Sequence, residues 1–286
     1  MITDIVIWVV LIPATIAGVA MLAAWRPWTN SEVAGWWGGG FGFAAGYATA
    51  HYGLNGEPET MWYILGGLLL LAVLEAFSSP VSWTPWIGRL VAVPSITYLV
   101  AGFMFTPQRW SGLAAFGWPV LFTALALGMI ATLETYGRRE SGSSVPISLL
   151  LVGNGAAITF ALTTSARVGE LVGVLTSMAG AAMVLSWIAP KLWESPVRVT
   201  RGGVTVFVML LSALSIYGYA SLFEPYQSIA GVSLLLLAAS PHLMWLDRLG
   251  PLERLEGWKA TGLRVVLVAG GVGAAVGYAY VNAGGA

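Results

Sequence analysis

Apolar residues run through this chain in long blocks, not in the alternating or three-to-four spacing of an element with one wet face. The blocks lie near 4–25, 33–51, 60–79, 89–106, 112–136, 146–165, 169–190, 203–222, 226–245 and 262–282, separated by short polar connections. Each approaches the ~20 residues that an α-helix needs to cross the hydrocarbon of a bilayer. A helix that is apolar all round has no side to turn to water, and in lipid it satisfies its own backbone groups. The pattern therefore predicts an all-α, polytopic integral membrane protein with about ten transmembrane helices.

Polar positions set a direction on this pattern. The odd-numbered connections carry Arg26; Arg89; Arg138 and Arg139; Lys191, Arg198 and Arg201; and Arg248, Arg254, Lys259 and Arg264, whereas the even-numbered ones carry Arg109 and Arg167. Positive loops face the cytoplasm. Both termini are thus expected on the non-cytoplasmic side, in what reads as a prokaryotic inner membrane. Trp25, Trp28, Trp83, Trp86, Trp187, Trp193, Trp245 and Trp258 gather at the same side, as an aromatic belt would.

The odd spans start near 4, 60, 112, 169 and 226, about 55 residues apart. The chain thereby divides into five hairpins, near 4–51, 60–106, 112–165, 169–222 and 226–282, within one transmembrane domain covering 1–286. Two spans per unit give every hairpin the same orientation, so the repeats are parallel and not inverted. The even spans hold more small and polar residues. Gly38, Gly42 and Gly46 recur at four-residue spacing in the second span, and Gly273 and Gly277 do so in the tenth. Such rows let helix backbones approach closely in lipid, so these glycines are the expected packing positions, with even spans inside and odd spans outside.

Composition narrows the chemistry more than it selects any. Hydrophobic residues make up 57% and charged residues 9% of the chain, against roughly 25% charged in soluble domains. The formal net charge is zero, so no basic surface points to nucleic acid as a partner. With no cysteine and two histidines, thiolate chemistry, disulfides and iron–sulfur clusters are excluded, and neither a metal site nor another cofactor is expected. Walker, His-Glu-x-x-His and Gly-x-Ser-x-Gly motifs are absent, which weighs against an enzyme.

Ionisable and strongly polar groups inside a bilayer are costly and often functional. Glu75 and Glu134 stand about one turn from the cytoplasmic ends of the third and fifth spans, and His242 lies at nearly the same level of the ninth. Together they could line a polar vestibule; the alternative is that each carboxylate pairs with a nearby arginine, as Glu134 would with Arg138 one turn on. Asn154, near mid-membrane in the sixth span, is either a substrate contact or an interhelical hydrogen-bonding group. The 246–264 loop has Leu252, Leu255 and Trp258 on one side and charges elsewhere, suiting an interfacial helix or a protein contact. The leading expectation is a transporter or channel-like permease for a small solute. The alternative is a non-catalytic membrane subunit or scaffold, meeting protein partners through its Gly-rich faces.

Overall fold

The structure, a computed structural model, describes residues 6–25, 42–48, 84–104, 113–139, 143–163, 166–193, 199, 202–223 and 225–284. Among the described residues every regular element is helical. A π-helical segment, Val6–Leu11, runs into α1 (Ile12–Trp25), followed by α2 (42–48), α3 (Thr84–Met104), α4 (Leu113–Arg139), α5 (Ser144–Leu162), α6 (Ala166–Trp193), α7 (Gly202–Ser221), α8 (Tyr226–Ala239), two 3-10 segments (Ser240–Arg248 and Gly250–Arg254) and α9 (Gly257–Ala283). Among the described residues, seven stretches are long and apolar enough to cross a membrane: Val6–Ala23, Gly117–Arg138, Ser144–Leu162, Ala166–Trp193, Gly202–Ser221, Tyr226–Arg248 and Gly257–Ala283. A shorter apolar helix, Pro85–Val100, lies within α3. The span expected near 60–79 lies outside the described residues, as does most of the one near 33–51.

Helix α7 is the hub. All of its residues except Ser212, Tyr217 and Ser221 are buried, and α3, α4, α5, α6 and α8 pack around it. This follows from a sequence with no polar stripe. Val206, Phe207, Val208, Met209 and Leu210 occupy consecutive positions, so every direction off the helix axis presents an apolar side chain that needs a neighbour. Phe207 meets Phe43 of α2 edge-on, with ring centroids 5.4 Å apart.

Glycine sets the closest approaches. A Cβ on Gly42 would lie 2.9 Å from the Ala17 carbonyl oxygen, and one on Gly46 would lie 3.0 Å from that of Pro13. The four-residue step along α2 thus matches a four-residue step running the other way along α1. On α5, a Cβ at Gly155 would meet Leu237 of α8 at 2.5 Å and Val272 of α9 at 2.7 Å.

Helix α9 lies at the periphery and not inside, counter to the expected layering of even spans. Its inward face is Arg264, Val268, Val272, Ala275 and Ala279, a three-to-four spacing that turns the residues between them outward. Gly273 and Gly277 are exposed, and a Cβ at either would meet nothing within 4 Å. Gly271 is the close-packed glycine of this helix, 3.1 Å from the Ser240 backbone when a Cβ is added.

The helix beginning at Tyr226 does not stay α-helical to its end. Pro241 has no N–H to donate, which breaks the i→i−4 ladder there. The Leu237 carbonyl instead receives the Ser240 backbone N–H and its hydroxyl, the latter at 2.8 Å. The chain then tightens into a 3-10 segment with three residues per turn, stacking residues i and i+3. Pro241, Met244 and Asp247 form its buried stripe, and His242, Trp245 and Arg248 form the next.

Candidate functional site

The first turns of α3 and α9, the last turns of α4 and the 3-10 segment Ser240–Arg248 converge at one end of the bundle, and the buried charges gather there. Helix α4 organises them through its 3.6-residue period. Thr132 and Tyr136, four residues apart, share the face toward the 3-10 segment. Glu134 and Arg138, also four apart, lie about 200° round the helix from them and face α3.

On the α3 side, Glu134 accepts hydrogen bonds from two guanidinium groups. Arg89 Nη1 binds Oε2, while Arg138 Nε and Nη2 both reach Oε1, with Nε at 2.9 Å. Arg89 is fully buried and Glu134 3% exposed, so the pair has been taken out of solvent. Desolvating two such ions costs several kcal/mol each; charge-assisted bonds to both carboxylate oxygens offset that cost. Trp86, 5.0 Å from the Arg89 guanidinium, adds a cation–π contact.

On the other face, Thr132 Oγ1 and His242 Nδ1 are 2.7 Å apart, and Trp245 Nε1 donates to the same hydroxyl at 3.3 Å. The imidazole lies against Gly128, where a Cβ would come within 3.4 Å of it. One turn further along α4, Tyr136 Oη is 2.8 Å from both the Met244 carbonyl and Asp247 Oδ1. Asp247 Oδ2 accepts from Arg264 Nε of α9. Both members of that ion pair are buried, Asp247 at 5% and Arg264 at 7% exposed. The Arg248 guanidinium stacks over Trp245, 3.9 Å from the ring centroid, and lies 5.2 Å from that of Tyr136.

Beside this network is a cavity of about 180 Å³, lined by Tyr136, Asp247, Arg248, Leu252, Glu253, Leu255 and Arg264. A smaller apolar pocket of about 40 Å³ lies between α4, α5, α7 and α8, with Phe122, Met129, Val152, Ser212, Ser215 and Leu234 on its walls. The two sets of lining residues follow one another along the same two stretches of chain. Along α4 the pocket residues Phe122 to Met129 are followed by Thr132 and then by Tyr136 of the cavity, and from α8 onward Leu234 to Ala238 are followed by His242 and then by Asp247.

Of the expected site residues, Glu134 and His242 are close along the chain direction but face opposite sides of α4, so they do not share one chamber. Glu75 and Gly38 lie outside the described residues. Asn154 is exposed midway along α5 and is not part of either cavity wall. It sits two residues from Val152 and from Ala156, which do line the inner pocket, and a two-residue step turns a side chain about 200° away. Four residues of the network, Arg89, Tyr136, Asp247 and Arg264, are not among those the sequence singles out. Arg89 and Arg264 read as loop charges, yet each lies inside a helix next to apolar neighbours, which is the signal that they need a buried partner. Among the described residues no cluster of three or more His, Asp or Glu side chains could hold a metal ion.

No protein-family model, curated protein sequence or solved structure matches this chain.

Proposed function

We propose that the protein is a small-solute permease of ten spans in five parallel hairpins. Both termini lie on the non-cytoplasmic side of a prokaryotic inner membrane, and the charged layer forms its cytoplasmic vestibule. The observation that carries this reading is the seam along α4. Phe122, in the wall of the inner pocket, and Tyr136, in the wall of the charged cavity, are 14 residues apart, which is about 21 Å of helix. That is most of a hydrocarbon core of ~30 Å. Two voids and a polar contact lie along one helix–helix boundary, and the boundary is interrupted on one side by a 3-10 segment. Such interrupted helices commonly form solute sites in transporters. Thr132, His242 and Trp245 act as the constriction between vestibule and pocket.

Reconstitution in liposomes tests this. Swelling or shrinkage after osmotic shock, followed by light scattering with a panel of small neutral, anionic and cationic solutes, should exceed that of protein-free vesicles for at least one solute. Thr132→Val and His242→Ala should change that rate, while Thr135→Val, whose hydroxyl bonds its own helix at Ala131, should not. Permeability equal to empty vesicles across the panel sinks the reading.

A second reading, a membrane subunit within a larger assembly, is favoured by one specific observation. Asn154, mid-span, and the open Gly273 and Gly277 positions all face outward. A polar amide facing lipid gains by meeting another helix. Extraction in mild detergent followed by co-purification discriminates, since a permease acting alone brings down no stoichiometric partner.

A further inference from the structure

We infer that the cavity beside Arg248 is a binding site for a phosphate-type oxyanion, whether carried by a lipid headgroup or free in solution. The inference does not depend on the protein moving a solute. It starts from the charge pairing at this end of the bundle. Glu134 is taken by Arg89 and Arg138, and Asp247 by Arg264 and Tyr136. Arg248 lines the same cavity, and among the described residues it stacks on the Trp245 and Tyr136 rings and pairs with no carboxylate. A guanidinium presents five N–H donors and accepts nothing, so its cavity-facing edge calls for an acceptor that the protein's carboxylates do not supply. Glu253, the remaining carboxylate of the cavity wall, is exposed at its rim, where solvent and salt screen it.

Geometry adds to charge. Stacking over Trp245 at 3.9 Å holds the guanidinium plane in place before any ligand arrives, and a pre-set planar fork suits the paired oxygens of a phosphate. Tyr136 and Arg264 supply further polar groups on the facing wall. About 180 Å³ of space holds several waters and accommodates a tetrahedral oxyanion. Part of the wall is apolar. Leu252 and Leu255 line the cavity, while Leu249 is 61% and Trp258 80% exposed nearby in sequence. A lipid phosphate could therefore enter with its glycerol and first methylenes against these side chains, as at other interfacial sites.

The full-length protein, delipidated in detergent, provides the test in two arms. In the first, thermal unfolding is followed with rising inorganic phosphate against chloride at matched ionic strength. In the second, native mass spectrometry counts phosphatidylglycerol retained after titration. Binding in the first arm alone identifies a free anion as the ligand; retention in the second identifies a lipid headgroup. In whichever arm binds, Arg248→Gln should weaken the interaction at least tenfold, the loss of a charge-assisted bond. Lys259→Gln, an exposed charge outside the cavity wall, should leave it unchanged. Leu255→Asp places a negative charge in the cavity without touching Arg248 and should weaken binding to a similar degree, so it decides the matter if Arg248→Gln does not fold. The inference is overturned if neither arm binds, if these two cavity variants bind like the wild type, or if Lys259→Gln is as harmful as Arg248→Gln.

Discussion

Tyr136→Phe removes a single oxygen from the centre of the charged layer and leaves the ring, with its edge-on contact to Trp245 at 5.8 Å, in place. That hydroxyl has one proton and two acceptors at 2.8 Å, the Met244 carbonyl and the Asp247 carboxylate. A hydrogen bond to a charged acceptor contributes about 1.5–3 kcal/mol, and sharing the proton between two acceptors reduces what belongs to Asp247. The variant should therefore lose about 1–3 kcal/mol of stability. Asp247→Asn also disrupts the ion pair with Arg264, and breaking a buried pair costs about 3–5 kcal/mol. The informative quantity is the coupling between the two changes. Hydrogen bonds between transmembrane helices average about 0.6 kcal/mol in such cycles, with a maximum near 1.7; a charged acceptor places this one at the upper end, about 1–2 kcal/mol. Unfolding of the two single variants and the double variant in mixed micelles, titrated with dodecyl sulfate, measures it. Thr135→Val controls for loss of a hydroxyl that bonds only its own helix. Coupling below about 0.5 kcal/mol, the scatter of independent sites, would refute the claim that Tyr136 and Asp247 act as one unit.

The glycines divide sharply. Gly42→Ala and Gly46→Ala each drive a methyl to about 3 Å from a backbone oxygen of α1 and should cost about 1–3 kcal/mol, whereas Gly273→Ala meets nothing and should gain up to ~1 kcal/mol from helix propensity; equal melting temperatures for the two sets would contradict the packing described. Glu134→Gln removes the acceptor of two arginines and should lower stability by about 3–5 kcal/mol. Arg138→Gln should cost under about 1 kcal/mol, because its side chain is 36% exposed and the pair with Arg89 survives; the same micelle titration ranks them, and a larger loss for Arg138→Gln reverses the assignment. Pro241→Ala restores an N–H and lets the α-helix continue. Each residue then turns 100° instead of 120°, so over the six steps to Asp247 the carboxylate swings by about 120°, and its coupling to Tyr136 should vanish.

Helix positions were legible because lipid-length apolar blocks leave the chain little choice. Described helices fall on the expected blocks from 89–106 to 262–282 and on the first, with ends shifted by a few residues. The Glu134–Arg138 contact was legible too, since four-residue spacing on a helix fixes proximity without any knowledge of the fold. Arg89 was not: its partner lies 45 residues away, and no local rule places α3 against that face of α4. Nor was the outward position of Gly273 and Gly277. A four-residue row of glycines marks a surface that can pack closely, but it does not say whether that surface meets this chain, another protein or lipid. The inward face of α9 is instead chosen by Arg264, which must reach Asp247, and the rest of the helix rotates with it.

The least legible feature governs the site most directly. Read as one helix through 226–245, His242 belongs on a face set by a 100° step, and Asp247 and Arg248 fall in a loop. Pro241 changes the step. In the 3-10 segment Asp247 comes into register with the buried Pro241 and Met244, while Arg248 stacks beyond Trp245 on the stripe of His242. One missing N–H thereby sets the acid in line with Tyr136 and Arg264 and the base over Trp245, with both at the wall of the same cavity. A continuous α-helix would put them only 100° apart and rotate the acid away from its partners. The division on α4 follows the same logic, with Glu134 and Arg138 on one face and Thr132 and Tyr136 on the other. The ion pairs toward α3 and α9 join the end of the bundle, while on the next stripe His242 and Trp245 meet the Thr132 hydroxyl and Arg248 stacks on Trp245.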